Sequence, residues 1–254
     1  MRHFILPDVQ AKPGVNFDYL TCIGRYVAEK QPEKIICLGD FADMPSLSSY
    51  DVGKKSFEGR RYLNDIAAVQ EAMNAFMKPI WELQGRQQAN KKKVYSPDMF
   101  MLLGNHCHRI TRAVENDPKL EGVLSLDDLH YKAYGWKVHP FLERVIIDGV
   151  AYSHYFVTGV AGRPAVSAAA QLNKQHMSCV AGHQQGLQLH TGYKADGTIL
   201  TSIIAGSCYE HDEDYMGPQG NQHWRGVLML NDVRGGGFEP MPITLKYLKE
   251  KYGN

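Results

Sequence analysis

Short apolar runs alternate with polar breaks along this chain, and their periods predict its elements. "HFIL" is a first apolar run and stops at Pro7-Asp8. From Asn16 to about Lys30 the apolar residues Tyr19, Ile23, Tyr26 and Val27 recur at helical spacing. "KIICL" then reads as a buried strand ending at Gly39-Asp40. Strand, helix, strand in that order predicts a βαβ opening with a parallel pair.

The tract from Ser56 to about Gln88 predicts one long helix, a helical insertion at about 56–88. Tyr62, Ile66, Val69, Met73, Phe76, Ile80 and Leu83 alternate steps of four and three there, a heptad stripe. Pro79 is expected to kink or end the helix, because it lacks an N–H and its ring crowds the preceding turn. The stripe packs within its own domain or pairs with a second copy, making a homo-oligomer. "ANKKKVYSPD" reads as a polar loop, and "MFMLL" as an apolar run ending at Gly104-Asn105-His106. "RVIIDGVAYSHYF" reads as two strands around an Asp-Gly turn. "PAVSAAAQLNKQ" reads as a helix and "MSCVAGH" as a strand; "LQLHTGY", "TILTSIIAG" and "GVLMLNDV" are further strands, and "RGGGF" is a turn before "EPMPITL". No internal repeat or low-complexity linker divides the pattern, so a single domain over 1–254 is expected.

Composition narrows the class. The 254 residues are 44% hydrophobic and 22% charged, which suits a globular chain with a substantial core. Lys plus Arg is 28 and Asp plus Glu is 27, so no global field draws the chain to nucleic acid or membrane. Cys22, Cys37, Cys107, Cys179 and Cys208 show no CxxC spacing, which argues for a reducing compartment and against a disulfide framework. "MRHFILPD" is too short an apolar run for a signal peptide. No segment approaches the roughly 18 apolar residues of a membrane span. The expectation is a cytoplasmic protein without a membrane partner.

Five apolar runs end in polar residues: "LPDVQ", "CLGDFAD", "LLGNH", "AYSH" and "VAGH". Each ending alone has an ordinary structural explanation. Gly-Asp and Gly-Asn are turn chemistry, Asp8 after a proline suits a turn or cap, and a lone histidine is commonly a hydrogen-bonded core residue. Together they point to convergence, because α/β proteins place ligands at the carboxyl ends of strands. Asp8, Asp40, Asp43, Asn105, His106, His154 and His183 are the candidates.

That order resembles the calcineurin-like metallophosphoesterases. Their motif string is Asp-x-His, Gly-Asp-x-x-Asp, Gly-Asn-His-Glu/Asp, a lone His and Gly-His-x-His; here it reads "DVQ", "GDFAD", "GNHC", "SH" and "GHQQ", from Asp8 to Gln185. The tract "SSYDVGKKSFEGRRYLNDI" also looks like the phage-encoded branch of that superfamily. The resemblance implies an α/β fold, the four-layer α/β/β/α sandwich of the metallo-dependent phosphatases. It implies two divalent ions, with Asp40 bridging both, Asp8 at the first, and Asn105, His154 and His183 completing the second. Two such ions about 3.5–4 Å apart clamp both sides of a displacement at phosphorus, and their charge activates water as the nucleophile. Carboxylate and amide oxygens suit Mn, the favoured metal, or Mg; the imidazoles also accept Fe, Ni or Zn. His106 is implied to be the general acid, oriented by Asp43.

The chain departs from the pattern in three places. Gln10 and Gln185 stand where the family puts imidazoles on the first metal, and Cys107 stands where it puts an acid. The implied function is metal-dependent hydrolysis of a phosphate ester, a diester such as a nucleotide or single-stranded nucleic acid. Monoester hydrolysis and a degenerate, non-catalytic metal-binding interaction module are the alternatives. Lys54, Lys55, Arg60 and Arg61 in "GKKSFEGRR" form a cluster able to grip phosphate, with Arg60 and Arg61 the substrate-binding candidates. "CYEHDEDY" (Cys208–Tyr215) and "NQHW" (Asn221–Trp224) are expected to overhang the cleft or to be plain loops. His108 and His190 are candidate substitute ligands. The near-neutral charge disfavours a duplex-DNA binder.

Overall fold

The computed structural model describes residues 1–213 and 216–253. β1 (His3–Leu6), α1 (Asp18–Lys30) and β2 (Lys34–Cys37) make the expected βαβ opening, with β1 and β2 parallel. α1 starts on an Asx turn in which Asn16 Oδ1 accepts the Asp18 N–H at 2.6 Å. It stops at Gln31, whose left-handed φ of 49° turns its N–H back to Val27 O. Next come α2 (Tyr62–Ala89), β3 (Asp98–Leu102), α3 (His108–Asn116) and β4 (Lys137–His139). β5 (Val145–Ile147) and β6 (Val150–Ser153) form a hairpin on Asp148-Gly149, both at positive φ (51° and 84°), as a type I′ turn requires. α4 (Ala168–Gln175), β7 (Cys179–Ala181), β8 (Leu187–Tyr193), β9 (Ile199–Ala205), α5 (Gly217–Gly220), β10 (Gly226–Arg234), β11 (Gly237–Thr244) and α6 (Leu245–Tyr252) follow.

The chain is mixed α/β with two mixed sheets. One runs β11-β10-β1-β2-β3-β4 and the other β5-β6-β7-β9-β8. β1, β2, β3 and β4 are mutually parallel, as are β6, β7 and β9. Ile5, Ile36, Leu38 and Leu102 of the first sheet share an apolar cluster with Val145, Val150, Tyr152, Val180 and Ile203 of the second. Each fully buried side chain of this kind stabilises by roughly 1.5–3 kcal/mol. His3 is a polar clamp across the same junction: Nδ1 meets Tyr152 Oη at 2.7 Å and Nε2 meets Asp148 Oδ2 at 2.9 Å. The acceptor-only carboxylate requires the Nε2–H tautomer, so Tyr152 Oη donates to Nδ1. The other face of the first sheet packs on α1, α2 and α6, while α4 packs on β7, β8 and β9.

Two expectations for the long helix change. Residues Lys55–Phe57 form a single 3-10 turn, and Gly59 at φ 78° breaks the path, so α2 begins at Tyr62 rather than near Ser56. Pro79 does not end α2, which continues to Ala89. The ring packs against α1 there: a Cβ on Gly24 would overlap Phe76 O and lie 3.1 Å from the Pro79 ring. Ile66, Val69, Met73, Phe76 and Ile80 are buried in the chain's own core. These five positions of the stripe are therefore covered within the chain, while Tyr62 and Leu83 at its ends are half-buried. All five cysteines are free and buried. Among the described residues no helix is long and apolar enough to cross a membrane.

Candidate metal centre

Five loops build the site, each leaving the carboxyl end of a strand that has parallel neighbours. Asp8, Asp40 and Asn105 follow β1, β2 and β3; His154 and His183 follow β6 and β7. The two sheets thus deliver their strand ends to one crevice. Backbone bonds tie the loops together: Gln10 N–H to Asp40 O (2.8 Å), Gly182 N–H to His154 O (2.9 Å) and Cys208 N–H to Asp8 O (2.9 Å).

The glycines in the motifs are spatial necessities. A Cβ on Gly39 would lie 2.6 Å from His154 Nδ1, and one on Gly182 would lie 2.6 Å from Asp8 Oδ1. A Cβ on Gly104 would overlap the Asp40 carboxylate. Each glycine makes room for a site side chain from another loop. Gln10, Asp40 and His183 also sit at left-handed φ (48°, 46° and 66°) without being glycine. Such a conformation costs roughly 1–2 kcal/mol per residue. Strain of this kind collects at functional sites and persists only where neighbours hold it.

Asp40, His154 and His183 each bring a ligand atom to within 4.8 Å of the others. His154 Nδ1–H donates to Leu38 O at 2.9 Å, which fixes the tautomer of the neutral ring. Its Nε2 lone pair then faces Asn105 Oδ1 at 2.8 Å and Asp40 Oδ2 at 3.2 Å. Three lone pairs meeting in a buried pocket need a cation, either a proton or a metal. Asp40 Oδ1 accepts the His106 N–H at 2.9 Å, and Asp8 Oδ1 accepts the His183 N–H at 3.1 Å. The remaining Asp8 Oδ2, with Gln10 Oε1 and Gln185 Oε1, is buried and has no hydrogen-bond partner. A buried acceptor left unpaired costs about 1–3 kcal/mol. Orphan oxygens from the loops of Asp8 and His183 are donors suited to a hard cation. On this observation the residues present fit a metal.

Electrostatics agree. Burial pushes the Asp8 carboxyl up to about 7, and the Asp40 charge adds to it. Burial also opposes ionisation of Asp40, but the His154 and His106 charges hold it below the usual carboxylate range. Burial alone would lower His154; the neighbouring Asp40 carboxylate overrides it and lifts the ring to about 9. Burial and the positive His154 push His183 down to about 4. One proton on His154 thus stands in for the charge the pocket requires.

Beside this centre, His106 Nδ1 meets Asp43 Oδ1 at 2.6 Å. Arg109 reaches the same carboxylate (3.2 Å), as does Lys12 at 3.9 Å. They open on a cleft of about 960 Å³ that also carries Asn105, Arg60 and Arg61. Arg60 is held by Asp51 (2.8 Å) and by Ser56 O and Pro45 O, so its charge ties the 45–60 loop together. Lys54 is likewise held by Asp51, at 2.8 Å. Arg61 is exposed and reaches Arg60 O. Tyr155 packs its ring on His183 (centroids 4.8 Å apart) and on Phe141 (5.6 Å).

Sequence reasoning missed Lys12, Arg109 and Tyr155. Arg109 carries one usable signal, its place in the first helical turn after Gly-Asn-His. His108 stacks on Phe141 at 5.1 Å and His190 pairs with Ser202 in the β8–β9 ladder; neither joins the Asp40 group among the described residues. Cys107 points into the core, with Tyr131 Oη 3.8 Å from its Sγ, so an acid there would be a buried charge. In the 208–215 segment Asp212 and Glu213 line the cleft, whereas Asp214 and Tyr215 lie outside the described residues. His223 is held by Ser207 Oγ at 2.9 Å.

No protein-family model matches the chain, and no curated protein matches it.

Proposed function

We propose that the chain is a metal-dependent phosphodiesterase of the calcineurin-like type, akin to its phage-encoded branch. Its two facing sheets, covered by α1, α2 and α6 on one side and α4 on the other, support the four-layer α/β/β/α sandwich. One observation carries the reading. His154 Nε2, Asn105 Oδ1 and Asp40 Oδ2 meet in a buried pocket, and next to it stands a histidine oriented by a carboxylate. A site that only stored a metal would have no use for that second histidine.

Asp8, Gln10, Gln185 and the shared Asp40 would hold one ion; Asn105, His154, His183 and Asp40 would hold the other. When bound, two ions, with Mn favoured, supply Lewis acidity to phosphoryl oxygens and a nucleophilic water at neutral pH. The chain's own residues do the rest. Asp43 holds Nδ1–H of His106 and leaves Nε2 to the leaving-group oxygen. Burial opposes protonation of His106, but Asp40 and Asp43 raise its pKa above the ordinary value, so it carries the proton it delivers.

The cleft supports a diester. Lys12 is paired with Glu213 at 2.7 Å, and Lys54 and Arg60 with Asp51, so little free positive charge awaits a dianion. A singly charged nucleotide diester or single-stranded nucleic acid meets less repulsion from Asp43 and Glu213 than a monoester does. Gln10 and Gln185 favour a second reading, a non-catalytic metal-binding interaction module, because imidazoles are absent from both positions. A screen of the purified protein with Mn separates the two, using matched mono- and diesters, cyclic nucleotides and single-stranded DNA. Diester turnover abolished by chelation and restored by Mn is expected. Inertness towards every ester selects the module.

A further inference from the structure

We infer that Arg109 binds the substrate's phosphate, its guanidinium divided between holding the Asp43–Met44 loop and gripping one substrate oxygen beside His106. The inference rests on the phosphodiesterase reading of the site and adds a residue to it.

The geometry divides the fork cleanly. Nη1 donates to Asp43 O at 2.8 Å and to Asp43 Oδ1 at 3.2 Å, and it lies 3.4 Å from Met44 O. Met44 has a left-handed φ of 55°, so this corner of the loop needs an outside hold. Nη2 has a different neighbour, His106 Nε2, at 3.4 Å. That is long for a charge-assisted hydrogen bond, which is typically about 2.7–2.9 Å. Nη2 therefore retains donor capacity beside the leaving-group nitrogen of His106, on the wall of the same cleft.

Arginine suits this division better than lysine. Its guanidinium is rigid and planar, so anchoring Nη1 also aims Nη2, and little further entropy is lost when an oxygen is gripped. Placement favours it as well. α3 begins at His108, directly after the Asn105–Cys107 turn, so the first helical turn carries Arg109 to the cleft wall. The other cations near this wall differ. Lys12 and Arg60 are held by Glu213 and Asp51, while Arg61 is out in solvent. Arg60 and Arg61, the candidates for that grip from sequence, line the same cleft, and Arg109 is the cation beside His106. The ligand it fits is a tetrahedral oxyanion presenting one oxygen, as a phosphodiester does.

The test measures binding of inorganic phosphate to the Mn-loaded protein by calorimetry, without turnover. Wild type, Arg109→Ala and Arg109→Lys are compared, with Mn stoichiometry recorded for each. Phosphate affinity is expected to fall by about 10- to 100-fold in Arg109→Ala, the loss of one charge-assisted hydrogen bond. Arg109→Lys should recover only part of it. Mn stoichiometry should stay that of wild type, and free guanidinium, but not ammonium, should restore phosphate binding to Arg109→Ala. Undiminished phosphate affinity in either variant overturns the inference and leaves Arg109 as a loop tie; should the alanine variant not fold, the lysine variant decides alone. A wild type that binds no phosphate also overturns it. A wild type that binds phosphate through Arg109 yet hydrolyses no ester supports the inference while removing the phosphodiesterase reading.

Discussion

His106 Nδ1 donates to Asp43 Oδ1 across 2.6 Å, and that bond decides which ring nitrogen faces the cleft. Burial raises the Asp43 pKa, but His106, Arg109 and Lys12 outweigh it and hold the carboxylate ionised. An ionised carboxylate is acceptor-only, so Nε2 is left for the substrate. His106→Ala is expected to lower kcat by about 10²–10⁴-fold with metal content unchanged. Asp43→Asn should cost less, since an amide still contacts the ring but no longer enforces its tautomer. Turnover and bound Mn, measured on the same preparations, check both. Loss of Mn in His106→Ala would make His106 a ligand.

Gly104 and Asp40 occupy one space. Gly104→Ala should displace the Asp40 carboxylate, lowering Mn affinity and costing about 1–3 kcal/mol of stability, as overpacking does. Gly85, exposed in α2 with nothing within 4 Å of an added Cβ, is the control. Gly85→Ala should raise Tm, by an amount equivalent to roughly 1 kcal/mol, and leave Mn binding alone. Thermal melts with and without Mn read both. Equal Mn affinity in Gly104→Ala and wild type would show that the carboxylate position does not matter.

Metal and protons compete for the centre. Without metal, His154 is lifted to about 9 and Asp8 to about 7, so below those values both hold protons that a metal must displace. The sign follows: Mn affinity should rise as pH increases from about 6 to 9, with proton release on binding. Calorimetry in two buffers of different ionisation enthalpy counts those protons. Affinity independent of pH would place the metal elsewhere.

Much of this was legible in the chain, for identifiable reasons. β1, α1 and β2 carry clear apolar periods, and Asp148-Gly149 is one of the few dipeptides that favour a type I′ turn. α3 was not legible because it is 9 residues long and its apolar stripe, Ile110, Ala113 and Val114, spans little more than one turn. α6 buries Leu245 and Leu248 and is only 8 residues long. The close packing of Pro79 on α1 involves Gly24, a residue distant in sequence. At the site, Asp8, Asp40, Asn105, His154 and His183 were marked by strand ends. Lys12 and Arg109 were not, because a single basic residue acquires meaning only once the Asp43 loop folds against it.

Gln10 and Gln185 test whether the first ion's shell is retuned or lost. Both place a buried oxygen without a partner, and the proposed reading puts both on one ion, so on that reading the two should act as one unit. Gln10→His with Gln185→His should tighten Mn binding by more than the single changes sum to. Strict additivity would mean the two side chains do not share an ion.

The central claim is a catalytic centre of two metals. Its most direct measurement is titration of the metal-free wild type with Mn, with bound metal counted by equilibrium dialysis and turnover of a chromogenic diester followed in the same samples. The expected result is two Mn per chain, the second bound more weakly, with activity appearing only as that second ion binds. One Mn per chain at saturating concentration with full activity would contradict the two-metal mechanism, and one Mn with no activity would contradict catalysis.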